Sequence, residues 1–273
     1  MYQLAVDHRA ASPDFLQDLE ALVFRFEDLL SRREPIEESF YEPGDSSSYQ
    51  VGKVAFKMRY APASSFSSDD PIMSKESKFP DFVQVDAPFW IAETEVTYEL
   101  WREVYDWATS AQRGTRQYQF QNPGQRGASG RDDISPLQPV AFISWRDAMV
   151  WCNALTEYYN AANGTNLTCV YRHEGQVVRD THANWQVCDA VLVGETATGF
   201  RLPTSAEWQL AARYIEGRNC LPGDHVSGDT SDPSWPIGKE GSKVFGDYTW
   251  CSGNSGRTSQ AVGVTTPQCP GGL

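Results

Sequence analysis

The chain has 273 residues, 40% of them hydrophobic and 12% aromatic, with nine tryptophans. That composition is far from the low-hydrophobicity signature of disorder and can build a sizeable core. A net charge of -13 with no basic stripe excludes a protein that works by neutralising nucleic-acid phosphates, and no stretch approaches the ~20 apolar residues that span a bilayer.

The first residues, Met1 to His8, lack a basic segment followed by a long apolar one, so the sequence predicts an untargeted, by default cytoplasmic, protein. Residues 12 to 33 read as an amphipathic helix: Ser12 suits the N-cap, Pro13 the first turn, and Phe15, Leu16, Leu19, Leu22, Val23, Phe26, Leu29 and Leu30 recur at helical spacing. Arg32-Arg33 at its end complements the helix dipole. From Glu34 to Gln50 the composition turns to Pro, Gly, Ser and acid, which is linker chemistry. The predicted organisation is therefore a helix and linker over 1–50 and a main domain over 51–273.

Val51 to Tyr60 alternates apolar and polar residues as a half-buried strand does, and Phe82 to Ile91 is a second strand candidate. Thr97 caps a predicted helix from Tyr98 to Thr109. Ser144 and Asp147 form a capping box that opens a helix through Trp151, Cys152, Leu155 and Tyr158. Thr204 and Glu207 form a fuller one opening Ser205 to Tyr214. Long loops rich in Gly, Pro and Asp, Asn122 to Pro139 and Gly217 to Asp247, separate these elements. There is no βαβ rhythm, so the expectation is a loop-rich α+β domain pinned by buried rings.

The familiar chemical motifs are missing. No phosphate loop, Gly-x-Gly-x-x-Gly, Gly-x-Ser-x-Gly or His-Glu-x-x-His pattern occurs. His8, His173, His182 and His225 are dispersed; His173 and His182 flank a polar, hairpin-like Tyr171 to Arg179 and read as surface residues. Cys152, Cys169, Cys188, Cys220, Cys251 and Cys269 contain no Cys-x-x-Cys. Their even number permits disulfides, but metal binding is not expected. Asp69-Asp70, Asp132-Asp133 and Glu37-Glu38 read as solvated loop charges. Gly223 to Asp232 is oxygen-rich but lacks the register of an EF-hand calcium loop. The residues thus assign no catalytic, cofactor-binding or metal-ligating position.

Three segments in order carry a resemblance: Phe89-Trp90-Ile91-Ala92-Glu93-Thr94-Glu95-Val96-Thr97; Pro139 to Ala148 with Trp151-Cys152-Asn153; and Gly199-Phe200-Arg201-Leu202-Pro203-Thr204-Ser205-Ala206-Glu207-Trp208 with Ala211-Ala212-Arg213. Together they resemble the formylglycine-generating enzyme, or sulfatase-modifying-factor, family over roughly residues 51 to 273. The resemblance implies a compact C-type-lectin-like α+β fold. In the signature itself Thr204 and Glu207 start a helix, and Trp208 and Ala211 share a face that reads as buried. The resemblance continues through Tyr248-Thr249-Trp250-Cys251-Ser252-Gly253-Asn254, Ala261-Val262-Gly263 and the final Gly272-Leu273.

In catalytic members of that family a cysteine pair downstream of these segments binds copper and oxidises a substrate cysteine to formylglycine, and structural calcium is also a family feature. None of the six cysteines matches that place, so the expectation is a domain incomplete at its C-terminus, with no cofactor of its own. Cys152 reads as core packing. Ala61-Pro62-Ala63-Ser64-Ser65-Phe66 departs from the family's glycine-rich turn. The partner implied is a polypeptide substrate. The alternative is a protein ligand of a non-catalytic binding protein, such as the retroelement-diversified variable proteins of this fold. The related iron-dependent sulfoxide synthases require a His-x-x-x-His-x-Glu motif that is missing. An incomplete domain would expose apolar faces and self-associate through its open edge or the N-terminal helix.

Overall fold

The computed structural model describes residues 41–67, 82–131, 134–183, 185–194, 196–213, 250, 255 and 258–263. The expected helix over 12–33, the loop over 217–247, Cys220, Cys251 and Cys269, the Gly223 to Asp232 segment and the final Gly272-Leu273 lie outside the described residues. The chain divides into two units, Met1–Tyr41 and Glu42–Leu273, and everything below concerns the second.

The domain opens with a hairpin. Strands β1 (Ser46–Val51) and β2 (Val54–Ala61) pair antiparallel from Ser46 opposite Arg59 to Val51 opposite Val54. The two-residue turn places Gly52 at φ 52°, a left-handed conformation that glycine adopts without steric cost. Residues 46 to 50, read as linker from composition, are thus a strand, and the expected boundary near residue 50 falls inside it. Their serines tolerate this because β1 lies at an edge of its sheet with alternate residues exposed.

The expected single strand from Phe82 to Ile91 is two. β4 (Phe82–Val85) pairs with β3 (Ser64–Ser67), whereas β5 (Phe89–Ala92) pairs with β2 and completes the sheet β1-β2-β5. Pro88 lies between them and has no N–H to give to a ladder, so the chain changes sheets there. Two smaller ladders follow: β6 (Gln125–Arg126) with β7 (Val140–Ala141), and β10 (Leu192–Val193) beside β8 (Tyr171–His173) and β9 (Gln176–Val177).

The helices start where their caps predict. In α1 (Tyr98–Ala108) the Thr97 hydroxyl accepts from the Leu100 N–H at 3.2 Å. In α2 (Trp145–Asn163) both halves of the Ser144–Asp147 capping box are present, and the helix ends on Gly164 in the left-handed conformation. A short α3 (Trp185–Asp189) precedes α4 (Ser205–Arg213). Among the described residues no helix is long and apolar enough to cross a membrane.

The main core is aromatic. Trp101 of α1 stacks on Trp151 of α2 at 5.3 Å between ring centres, nearly parallel, and Trp107 stacks on Tyr158 at 4.6 Å. The Trp151 indole N–H donates to the Trp101 carbonyl at 3.2 Å and that of Trp101 to the Pro123 carbonyl at 2.9 Å, so neither buried donor is left unpaired. Each such pair adds about 0.5–1.5 kcal/mol beyond its burial, enough to anchor loops that carry few backbone ladders. A second, smaller core joins Val83, Val85 and Phe89 to Leu210 and Ala211 of α4. The α+β organisation expected from the sequence is what forms.

Candidate functional site

The segment of strongest resemblance folds into an interlocked structural joint. The Glu207 N–H donates to the Thr204 hydroxyl at 3.1 Å, and the Thr204 N–H returns to the Glu207 carboxylate at 2.7 Å. Arg201 grips the same carboxylate with both ends of its guanidinium at 2.7 and 2.5 Å. Burial alone would raise the Glu207 pKa, but the Arg201 and Thr204 contacts outweigh it and hold the group below the ordinary carboxylate range. The Leu202 N–H donates to the Tyr171 hydroxyl at 2.9 Å, tying the segment to β8. Trp208 departs from expectation: it is 60% exposed, while Ala211 is buried. The face that α4 buries runs through Glu207, Leu210 and Ala211.

The Trp151-Cys152-Asn153 run has a similar role. Trp151 stacks in the core and Cys152 is buried. The Asn153 side-chain N–H donates to the Tyr171 and Val178 carbonyls at 2.7 and 3.1 Å, and its carbonyl accepts from the Tyr171 N–H at 3.1 Å. It fastens the β8–β9 hairpin to α2. His173 is half-buried on that hairpin and His182 is exposed beyond it.

Cys152, Cys169 and Cys188 are free and buried. Burial pushes their thiols up, to about 12 for Cys152 and about 11 for Cys169 and Cys188, so none is a thiolate at neutral pH and none is set up as a nucleophile or soft-metal ligand. Among the described residues no group of three or more His, Cys, Asp or Glu side chains is placed to hold a metal ion. The copper chemistry implied by resemblance therefore finds no fit in the thiols described.

Asp147 is fully buried and receives five hydrogen bonds. Its Oδ2 accepts from the Ser144 N–H at 3.0 Å, the Ser144 hydroxyl at 2.6 Å and the Asn122 amide at 2.7 Å. Its Oδ1 accepts from the Gln121 N–H at 3.1 Å and the Thr181 hydroxyl at 2.6 Å. Burial would raise its pKa, yet the bonds from Ser144, Thr181 and Asn122 together lower it. Asp147 thus joins α2, the loop before β6 and the chain beyond β9.

The loop ahead of α2 presents the most conspicuous surface. Its backbone is held on several sides: the Tyr98 N–H donates to the Gln138 carbonyl at 2.8 Å, the Val140 N–H to Val96 at 3.0 Å and the Val262 N–H to Leu137 at 3.0 Å. Val140 and Ile143 pack against the core, but two rings at its end face solvent. Phe142 is 67% exposed and sits at φ 58°, and Trp145 is 58% exposed. A bulky residue with positive φ is strained. Val140 to Ile143 stands out in the sequence only within the Pro139 to Ala148 segment of family resemblance, and no signal there marks Phe142 as an exposed residue.

With this geometry in place, the comparison with known families is decisive: the sulfatase-modifying factor enzyme 1-like domain matches residues 52–268. The chain belongs to that family. The match spans the β1–β2 turn, all three helix-opening segments and the Ala261-Val262-Gly263 stretch. Among curated proteins it is similar to the chaperone protein LppX of Paenibacillus barcinonensis, 26% identical over 186 residues that make up 65% of this chain and 54% of the relative. Among solved structures it is similar to CarF, at 29% identity and a TM-score of 0.38, covering 62% of this chain and 54% of CarF. The Treponema denticola variable protein 1 is similar at 25% identity and a TM-score of 0.41, covering 61% of this chain and 56% of that protein. The chain spans about half the length of each of these relatives, and the family assignment rests on the match over 52–268.

Proposed function

We propose that this sulfatase-modifying-factor domain is a polypeptide-binding module on a C-type-lectin-like scaffold, with the loop bearing Phe142 and Trp145 as its contact surface. The observation that carries the reading is the exposure of these two rings on a backbone fixed by hydrogen bonds. Rigid aromatic side chains lose little conformational entropy on contact and supply much of the energy at protein interfaces. The net charge of -13 favours apolar and cationic segments as partners over anionic ones. The name of the LppX relative, a chaperone protein, supports a polypeptide as the ligand.

Light scattering of a denatured model client on dilution, with and without the full chain, tests this. Wild-type protein is expected to suppress client aggregation, and a Phe142→Gly, Trp145→Ser variant to lose that effect. Glycine at 142 removes the ring while suiting the positive φ, so loss of suppression with an unchanged melting curve is loss of the surface rather than of the fold. Absence of suppression by the wild type, or full suppression by the variant, overturns the proposal.

The family match over 52–268 favours a second reading, oxidation of a cysteine in a substrate polypeptide to formylglycine. The buried thiols of Cys152, Cys169 and Cys188 do not support it. Incubation with a Cys-x-Pro-x-Arg peptide, copper and oxygen, followed by mass spectrometry for the aldehyde, separates the readings. Aldehyde formation would establish the oxidase, and its absence from copper-loaded, folded protein would sink it.

A further inference from the structure

Two arginines share one carboxylate at the edge of an open depression of about 540 Å³, and two further arginines line it. Arg113 and Arg116 come from the two short 3-10 turns of Ala111–Arg116, kinked at Gly114, that follow α1, Arg172 from β8 and Arg179 from the chain after β9; the carboxylate is Glu157 of α2. Arg113 lies flat on the Trp107 ring, its guanidinium carbon 3.6 Å from the ring centre, and donates to the Arg116 carbonyl at 3.2 Å and to Glu157 at 2.5 Å. Arg179, behind the depression, takes the other oxygen of Glu157. Its buried Nε has no hydrogen-bond partner.

The charges do not balance. Glu157 is shared between two arginines and compensates one of them, while Arg116 and Arg172 line the same depression, in which Glu157 is the one acidic lining residue among the described residues. Burial and the nearby Arg179 charge lower the Arg113 pKa against the pull of Glu157. In a chain whose net charge is -13, this depression carries three arginines against one acid in its described lining. An anion entering it would relieve the repulsion among the guanidinium groups, whose planar forks match the oxygens of phosphate and carboxylate. The volume lies in the range of about 300–1,000 Å³ typical of small-molecule sites, and Trp107, Ala161 and Leu167 supply an apolar wall.

We propose that this depression is an oxyanion site for a small organic ligand bearing a phosphate or carboxylate group, held by Arg113, Arg116 and Arg172, with Glu157 fixing the Arg113 fork. It lies on residues distinct from the Phe142–Trp145 loop, so its success or failure does not depend on the polypeptide-binding proposal.

Isothermal titration of the full chain with inorganic phosphate and, separately, with acetate, at ionic strength held constant with sodium chloride, tests the site. Saturable binding of at least one probe is expected, and the tighter one identifies the group recognised. Arg116→Gln combined with Arg172→Gln should weaken that binding by about ten- to a hundredfold, the loss expected for charge-assisted hydrogen bonds. Arg116→Gln alone alters an exposed side chain and keeps the test valid should the double variant misfold. No saturable binding of either probe, or equal binding by folded variants, overturns the assignment.

Discussion

Asp147→Asn isolates the contribution of a side chain that accepts five hydrogen bonds. In the wild type Oδ2 receives three donors, the Ser144 N–H, the Ser144 hydroxyl and the Asn122 amide. An amide keeps its oxygen at this position and puts its nitrogen in place of Oδ1, where the Thr181 hydroxyl can rotate to accept from it, while the Gln121 N–H is left with its 2.8 Å bond to the Thr181 hydroxyl oxygen. The bonds at Oδ2 remain but lose their charge assistance. Exchanging bonds to a charged group, worth about 1.5–3 kcal/mol, for neutral ones of about 1 kcal/mol gives a loss of about 2–3 kcal/mol. For a domain of this size that corresponds to a fall in Tm of about 4–12 °C. Urea and thermal unfolding of both proteins at neutral pH measure it. The pH dependence adds a sign: the folded pKa lies below the unfolded one, so the stabilisation is complete above the unfolded value of roughly 4 and is lost as pH falls through the folded value. Glu207 is shifted in the same direction but is present in both proteins and cancels in their difference. The stability gap should therefore close in acid. A variant within about 0.5 kcal/mol of wild type, where ordinary surface substitutions fall, or a gap that widens in acid, would refute the reasoning.

Two further outcomes rest on packing. Gly199→Ala would place a Cβ 2.7 Å from both the Thr156 side chain and the Thr168 carbonyl oxygen. The latter is backbone, already accepting from the Gly199 N–H at 2.9 Å. Overpacking should cost about 1–3 kcal/mol, more than the roughly 0.4–1 kcal/mol gained by stiffening the unfolded chain, so denaturant titration should show a net loss, and a stabilised variant would contradict the close approach. Cys152, Cys169 and Cys188 should stay unmodified by iodoacetamide in the native protein at mildly alkaline pH and react once it is unfolded. Peptide mapping that finds Cys152 alkylated at the rate of a free thiol would show that its burial is misjudged.

What was legible in the sequence is what depends on neighbours along the chain. Thr97, Ser144 with Asp147, and Thr204 with Glu207 open their helices as expected because a cap bonds to backbone two or three residues away. What was not legible depends on distant partners. β4 and β5 belong to different sheets because β3 and β2 select them, and the positive cluster assembles Arg113, Arg116, Arg172 and Arg179 without any two of them adjacent in the chain. No local pattern carries either fact.

The exposure of Trp208 belongs to a more general inversion. At both capping boxes the third helical residue is an acid that the fold buries, Asp147 in α2 and Glu207 in α4, and each is bonded from several directions. A carboxylate takes a buried position in the first turn, and a nearby aromatic ring is turned outward: Trp145, two residues before Asp147, in α2, and Trp208, one residue after Glu207, in α4. Hydrophobic periodicity alone assigns the Trp208 ring to the core. The capping network that buries the acids also fixes the helix ends on which the rings stand. The motif residues that build the family scaffold thereby hold tryptophans at its surface, and a partner that buries those rings would add to the fold's stability without touching the acids beneath them.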